Sequence, residues 1–230
     1  MKNIIILFLF FTLKFFSQSG VITYEIKVEQ QGGDVPKQFS ELLKKSLDYA
    51  NKQKFELTFT KNKSRFNPIQ RSNIENDYDQ KAETLARLAF STGSDFFYDN
   101  QLETEIEKKG DGTLLKAINS NTNWEITTES KTISSYLCYK AILKISFVNR
   151  KGVSGIHTIT AWFAPSLPFP FGPKNFYGLP GLILELHENK TTYLATKIVL
   201  TDKEFKIDFP KGKTIPKEEY DKKLKAQMGM

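Results

Sequence analysis

The feature that most constrains the fold is a succession of short strand patterns that occupies most of the chain after Ser94. Segments such as DFFYDN, LETEIEK, TLLKAI, WEITTES and YLCYKAILKISFV follow one another with turn residues between them, at a spacing of roughly ten residues. Alternation continues in IHTITAWFA, which places Ile156, Thr158, Thr160 and Trp162 on one face and His157, Ile159, Ala161 and Phe163 on the other. This pattern predicts an antiparallel meander.

The first part of the chain adds further strands and two helices. VITYEIKVE and KFELTFTKNKSRF alternate with the period of two that is typical of half-buried strands. Between and after them, residues 36–51 and 76–90 carry apolar residues at intervals of three and four, as one face of a helix requires. The sequence therefore predicts a mainly β, α+β protein: a curved antiparallel meander sheet or half-barrel with one or two packed helices.

Residues 1–19, MKNIIILFLFFTLKFFSQS, are typical of an export signal. A lysine near the start precedes an apolar run, and Ser17 and Ser19 form the small-x-small pattern that a signal peptidase recognises. The uninterrupted run from Ile4 to Leu13 is about half the roughly 20 residues needed to span a bilayer, and Lys14 ends it. We therefore expect an exported chain without a transmembrane segment after signal removal, located in the periplasm, at the outer membrane or outside the cell.

Composition and charge bound the rest of the chain. Hydrophobic residues make up 40% and aromatic residues 13% of the sequence, enough for a sizeable core. We predict a single β-rich domain over residues 20–212 and a basic C-terminal tail over 213–230, in which a short helix could form from Ile215 with Pro216 in its first turn. The net charge of +7 comes from lysines mixed with acidic residues rather than gathered on one stripe, so no nucleic-acid partner is expected.

The string GLPGLILEL at residues 178–186 combines turn residues with an aliphatic run. Leu179-Pro180-Gly181-Leu182 fits a type II turn, in which proline sets the second position and Gly181 takes a positive φ at the third. The residues from Leu182 to Leu186 are then expected to form a strand that is buried on both faces in the middle of the sheet. The prolines before them indicate a loop on the surface or against a strand edge.

Several segments together resemble the GLPGLI family of secreted bacterial proteins, named after the string spelled by Gly178, Leu179, Pro180, Gly181, Leu182 and Ile183. The others are an I-x-x-Y-x-C-x-K-A segment from Ile133 to Ala141, a strand containing Trp162, and Gly172-Pro173. The likeness extends to the YEIKV strand and to the F-x-L-x-F strand at 55–59, whereas the helical region near 36–51 is interpreted as an insertion. The resemblance implies a relative but no reaction.

The residues that could support catalysis are few. Cys138 is the only cysteine, and His157 and His187 are the only histidines, without the spacing of a metal site. We predict no metal, no cofactor and no catalytic constellation. A hydrolase that uses Cys138 or a histidine is kept as an alternative. Its competing interpretation is that Cys138, among apolar neighbours, is a small buried hydrophobe.

Aromatic side chains gather in the strand and loop that precede the GLPGLI string. Trp162, Phe176 and Tyr177 are weak candidates for binding an apolar ligand, a sugar ring or a peptide on a concave sheet face. The competing interpretation is that these rings fill the core.

Three hypotheses for function follow from these observations. The first is a non-catalytic module that binds a hydrophobic ligand, a peptide or an envelope protein, the second is the hydrolase, and the third is a structural part of a surface assembly with residues 165–180 as its contact. The sequence leaves the oligomeric state open.

Overall fold

The structure is a computed structural model that describes residues 19–29, 37–69, 77–118, 123–149, 152–203 and 205–227. Within these ranges the chain forms one sheet of twelve strands and three helices. The strands are β1 (Ser19–Val28), β2 (Lys54–Phe59), β3 (Lys63–Pro68), β4 (Asp95–Asp99), β5 (Thr104–Lys108), β6 (Leu114–Ile118), β7 (Glu125–Ile133), β8 (Tyr136–Val148), β9 (Ser154–Ala164), β10 (Leu182–Glu188), β11 (Thr191–Thr201) and β12 (Thr214–Pro216). The helices are α1 (Lys37–Asn51), α2 (Asp77–Phe90) and α3 (Lys217–Gln227).

Two antiparallel meanders make up the sheet. Strands β1 to β6 lie side by side in chain order, and so do β7 to β11. The meanders join because β1 pairs antiparallel with β11 along its length, from Ser19 opposite Thr201 to Val28 opposite Thr191. β12 adds to β6 in parallel, so the sheet is mixed, and it stays open with β7 and β12 at its two edges. The predicted mainly β fold is confirmed.

A layer of aromatic rings fills one face of the sheet where the meanders meet. Phe55 and Phe66 stack at 5.3 Å between ring centroids, and Tyr193 packs edge-on against Phe55 at 5.5 Å. Tyr24 lies fully buried beside them and donates a 2.6 Å hydrogen bond to the backbone oxygen of Ile183. Burial raises the pKa of the Tyr24 hydroxyl, which keeps it a donor. This bond ties the first strand to the GLPGLI string.

The loop between β9 and β10 covers the same face. Its Leu167, Phe169 and Phe171 are all buried, and the Phe169 ring lies 4.8 Å from that of Phe59 on β2. The sequence predicts a loop on the surface or against a strand edge. Pro165, Pro168 and Pro180 are exposed as that predicts, whereas the apolar residues between them pack on a face of the sheet. Prolines are tolerated in this loop although they lack an N–H donor. The loop's carbonyl oxygens accept hydrogen bonds from within the loop and from β10, such as that from Ile183 N to Phe171 O at 3.0 Å.

Helices α1 and α2 form as expected and pack on each other, with α1 against β1. The two helices bury small residues, since Ala50, Ala82 and Ala86 are fully buried. At the end of α2, the backbone oxygen of Phe90 accepts a 2.6 Å hydrogen bond from the Thr191 hydroxyl, which fixes the pair over the sheet.

Helix α3 has no buried residues, and Pro216 lies in β12 just before it rather than in its first turn. Lys217 attaches it to the sheet through a 3.0 Å bond to Glu107 on β5. Desolvation alone would lower the pKa of Lys217, but the Glu107 carboxylate outweighs it and raises the pKa above its ordinary value.

Candidate functional site

The turn that opens the GLPGLI string differs from the predicted one. Gly178, not Gly181, has a positive φ, at 88°. Gly178 N donates to Pro170 O at 2.9 Å, and Gly181 N donates to Leu179 O at 2.8 Å. The second bond spans only two residues and closes a tight γ-type turn around Pro180. The prediction of a type II turn with a positive φ at Gly181 is therefore wrong.

Gly181 is required instead for a close backbone approach. A Cβ built there would lie 2.3 Å from the carbonyl oxygen of Ala164 and 2.6 Å from its carbon. Gly172 is confined in the same way, because its Cβ would lie 2.6 Å from Ile183 Cδ1 and 2.7 Å from the oxygen of Phe176. The two glycines let the loop fold back onto the start of β10.

The strand after the turn confirms the prediction of a doubly buried strand. β10 lies between β9 and β11, and Leu182, Ile183, Leu184 and Leu186 are fully buried. Glu185 is the one charged residue in this otherwise apolar run from Leu182 to Leu186, and only 8% of its surface is exposed. A buried charge requires partners.

The aromatic candidates do not come together in one site. Phe176 and Tyr177 are 2% exposed and belong to the core cluster. Trp162 is half-buried on the other face of β9, since its neighbour Phe163 is the residue that points into the core. Lys131 Nζ lies 4.3 Å from the centre of the Trp162 ring. Phe176 and Tyr177 thus act as packing residues. Of the three candidates, Trp162 alone lies on the face of the sheet opposite the aromatic core, which we call the open side.

A polar cluster surrounds Glu185 on that open side. Both oxygens of the Glu185 carboxylate accept hydrogen bonds from Lys131 Nζ on β7, at 2.6 and 2.7 Å. His187 Nε2 contacts the same carboxylate, and His187 Nδ1 lies 2.9 Å from the hydroxyl of Thr192 on β11. We call Glu185, Lys131, His187 and Trp162 the Glu185 cluster.

The charge balance of the Glu185 cluster stabilises the carboxylate. Burial alone would raise the pKa of Glu185, but the hydrogen bonds from His187 and Lys131 outweigh it and hold the pKa below its ordinary value of 4.5. Sequence reasoning missed Lys131 and Glu185. The available indication was a single carboxylate within an otherwise aliphatic strand.

Cys138 lies close to the same cluster, but its thiol is buried and poorly ionised. The thiol is fully buried, and desolvation raises its pKa to about 11. The Sγ atom lies 3.5 Å from the backbone oxygen of Tyr136. These features favour a small packed hydrophobe over a nucleophile.

The state of Cys138 can be checked by alkylation. A pKa about two units above the ordinary value lowers the thiolate fraction near pH 7.5 by roughly a hundredfold, and burial slows access further. We expect iodoacetamide to label the native protein at least tenfold more slowly than the urea-unfolded chain. Equal rates would show an accessible thiol and reopen the hydrolase alternative.

A second feature lies where β8 and β9 extend beyond their neighbours. Among the described residues, 143–148 pair only with 154–159, because β7 pairs with β8 up to Ile142 and β10 reaches β9 only from Thr160. We call this two-stranded extension the β8–β9 ribbon. Phe147 lies over Gly155 and stacks on His157 at 4.0 Å, which orders the ribbon from within.

The β8–β9 ribbon exposes apolar side chains to solvent. Ile156 is 63% and Val148 52% exposed on one face, and Val153 in the connecting turn is 58% exposed. No strand among the described residues pairs with either of its edges.

Within the described ranges, no three His, Cys, Asp or Glu residues are grouped as metal ligands would be. None of the helices found there has the length and apolar character to cross a membrane.

Comparison with known proteins finds a family model that matches part of the chain and a solved structure of similar fold. A family model described as "Protein of unknown function (Porph_ging)" matches residues 148–185, from the end of β8 through the β9–β10 loop into β10. No curated protein matches the sequence. A solved structure of PNGF-II in space group P21 is similar with a TM-score of 0.54 and 15% identity, over 90% of this chain and 33% of that one. The chain thus spans about a third of that structure's length, and the likeness concerns the fold alone.

Proposed function

We propose that the protein is an exported, non-catalytic envelope protein of the GLPGLI type that binds an extended segment of a partner protein through the β8–β9 ribbon. The family assignment is supported by the match to a family of unknown function. The matched residues, 148–185, contain the whole GLPGLI string. Export is supported by residues 1–19, of which 1–18 lie outside the described residues. Under this proposal, residues 20–212 are one domain and 213–230 its tail.

The observation that carries the proposal is the exposed apolar ribbon. A two-stranded hairpin is marginally stable on its own in water, so an extension of this kind gains stability when another chain covers it. Both edges of the β8–β9 ribbon carry backbone groups that no described strand uses. Unpaired N–H and C=O groups beside exposed apolar side chains are what a peptide strand recognises in strand addition.

A protein partner fits the surface better than a small apolar ligand. The rings that could line an apolar pocket are packed, with Phe171 and Tyr177 buried in the core. The β9–β10 loop is likewise packed through the buried Leu167, Phe169 and Leu179, whereas the ribbon exposes Val148, Val153 and Ile156.

The proposal is tested by a site-specific photo-crosslinker at position 156, introduced in the native cell. We expect one dominant adduct whose purified partner binds the wild-type protein and binds Ile156→Asp at least tenfold more weakly. Leu88→Asp is the matched control, because Leu88 is 81% exposed on α2, away from the ribbon. Binding that Leu88→Asp weakens as much as Ile156→Asp would refute a role for the ribbon.

Export is tested separately by the mass of the protein recovered from the native envelope. A chain that lacks residues 1–18 or 1–19 is the expected result. The two cleavage sites differ in whether Ser19 is kept, and Ser19 is buried in β1 opposite Thr201. Recovery of the uncleaved chain from the cytoplasm would contradict the proposal.

A further inference from the structure

A groove lies on the far half of the sheet, on the face opposite the aromatic core. Register places Phe97, Ile106 and Lys116 in one row across β4, β5 and β6. Phe96 and Tyr98, the neighbours of Phe97, point into the core, so this row points the other way. The chain returns over the row at residues 205–211, and the Phe209 ring packs 5.5 Å from that of Phe97.

The groove between this returning segment and the sheet has a volume of about 760 Å³. That is within the range of roughly 300–1,000 Å³ that is typical of small-molecule sites. Four lysines line it, Lys63, Lys116, Lys206 and Lys211, together with two aspartates, Asp99 and Asp208. We call it the lysine groove.

The two aspartates are already engaged. Asp99 accepts hydrogen bonds from the backbone of Gln101 and Leu102, and Lys63 lies 3.6 Å from its other oxygen. Asp208 pairs with Lys206 at 3.1 Å on the surface. Among the described residues, no carboxylate lies within 4 Å of the ammonium of Lys116 or Lys211. These two cations are therefore available to an anion.

Apolar surface adjoins the cations. Leu102, which lines the lysine groove, is 71% exposed, and Ile106 and Phe209 form its half-buried floor. Ile118, which is 67% exposed, lines an adjoining groove that shares Lys116. An inorganic anion would leave this apolar surface in water, and a neutral apolar molecule would leave the lysines unpaired.

We propose that the lysine groove binds an anionic amphiphile, a single acyl chain with a phosphate or carboxylate head group. The head group pairs with Lys116 and Lys211, and the chain lies along Ile106, Phe209 and Leu102. This site is on β3 to β6, away from the β8–β9 ribbon, so it does not depend on the function proposed above.

Calorimetric titration of the protein with octyl phosphate below its micelle concentration tests the proposal. We expect octyl phosphate to bind at least tenfold more tightly than inorganic phosphate, and at least tenfold more tightly than octyl glucoside. Inorganic phosphate that binds as tightly would reduce the groove to a simple anion site. Octyl glucoside that binds as tightly would remove the role of the lysines, and heat from none of the three would refute the site.

Variants locate the binding. The double variant Lys116→Gln/Lys211→Gln is expected to lower the affinity for octyl phosphate at least tenfold. The control Lys27→Gln/Lys190→Gln removes the same charge from exposed positions on β1 and the β10–β11 turn. It is expected to change the affinity less than twofold. Equal weakening by both pairs would refute the assignment.

A labelling experiment on the wild-type protein does not depend on how the variants fold. Octyl phosphate should protect Lys116 and Lys211 from acetylation, read by mass spectrometry, and should leave Lys27 and Lys190 unprotected. Protection of neither groove lysine in the presence of bound octyl phosphate would place the ligand elsewhere.

Discussion

Replacement of Gly181 with alanine is expected to lower the free energy of unfolding by about 3 kcal/mol, at the upper end of the cost of overpacking. The added Cβ would meet the carbonyl oxygen and carbon of Ala164 at 2.3 and 2.6 Å and Pro165 Cα at 3.0 Å. All three are backbone atoms, so no side chain can rotate away. The loop would have to separate from the end of β9. Urea unfolding measures the loss directly, and a melting temperature lower by roughly 6–12 °C should accompany it.

Gly110→Ala is the matched control for this prediction. Gly110 has a φ that alanine can adopt, and nothing lies within 4 Å of a Cβ built there. Its replacement is expected to change stability by no more than about 0.5 kcal/mol. If Gly181→Ala were as stable as Gly110→Ala, the close approach of residue 181 to Ala164 would be disproved, and with it the physical reason for glycine at this position of the string.

Replacement of Lys131 with methionine is expected to cost about 2 kcal/mol, less than the 3–5 kcal/mol typical of a fully buried pair because the lysine side chain is 35% exposed. The change leaves the Glu185 carboxylate, 8% exposed, with His187 as its remaining hydrogen-bond partner in the Glu185 cluster. Chemical unfolding at pH 7 measures the cost. Lys140→Met is the matched control: Lys140 pairs with Glu129, which is 59% exposed, and its loss should cost no more than about 1 kcal/mol.

A second replacement separates charge from packing. With glutamine at 185 no buried charge is left unpaired, so Glu185→Gln combined with Lys131→Met should lose less than the sum of the single changes. Additive losses would show that Lys131 acts through packing on Trp162 rather than through the carboxylate.

The pH dependence of stability follows from the same carboxylate. The pKa of Glu185 is lower in the folded protein than its ordinary value of 4.5, so the folded state binds the proton less readily than the unfolded chain. Its contribution is therefore complete above the unfolded pKa and disappears as the pH falls through the folded pKa. The stability difference between wild type and Glu185→Gln should shrink as the pH falls below about 4.5. A difference that grew as the pH fell below 4.5 would contradict this sign.

The GLPGLI string has a structural reason at almost every position. Gly178 supplies the positive φ, Leu179 is buried, and Gly181 permits the approach to Ala164. Leu182 and Ile183 then begin the strand, and the oxygen of Ile183 receives the Tyr24 hydroxyl. The string thus joins the β9–β10 loop, the strand between β9 and β11, and the first strand of the sheet. A role in folding accounts for the string without a ligand.

The sequence by itself determined the element types. Period-two alternation in β1 and β9 and the three-to-four spacing in α1 and α2 are local properties, because each side chain's face follows from its neighbours along the chain. The doubly buried strand from Leu182 was predictable for the same reason. The turn before it was not, since Pro180-Gly181 suits more than one turn and the approach of Ala164 decided between them.

Only the tertiary structure decided which side chains meet. Lys131 and Glu185 are 54 residues apart, and their contact depends on the order of β7 to β10 in the sheet. The position of Trp162 was also decided by tertiary structure. It is separated from Phe176 and Tyr177 because the β9–β10 loop covers the other face of β9. Alternation specifies two faces for each strand but not which neighbour or covering loop each face receives, and that choice is made by packing between residues distant in the chain.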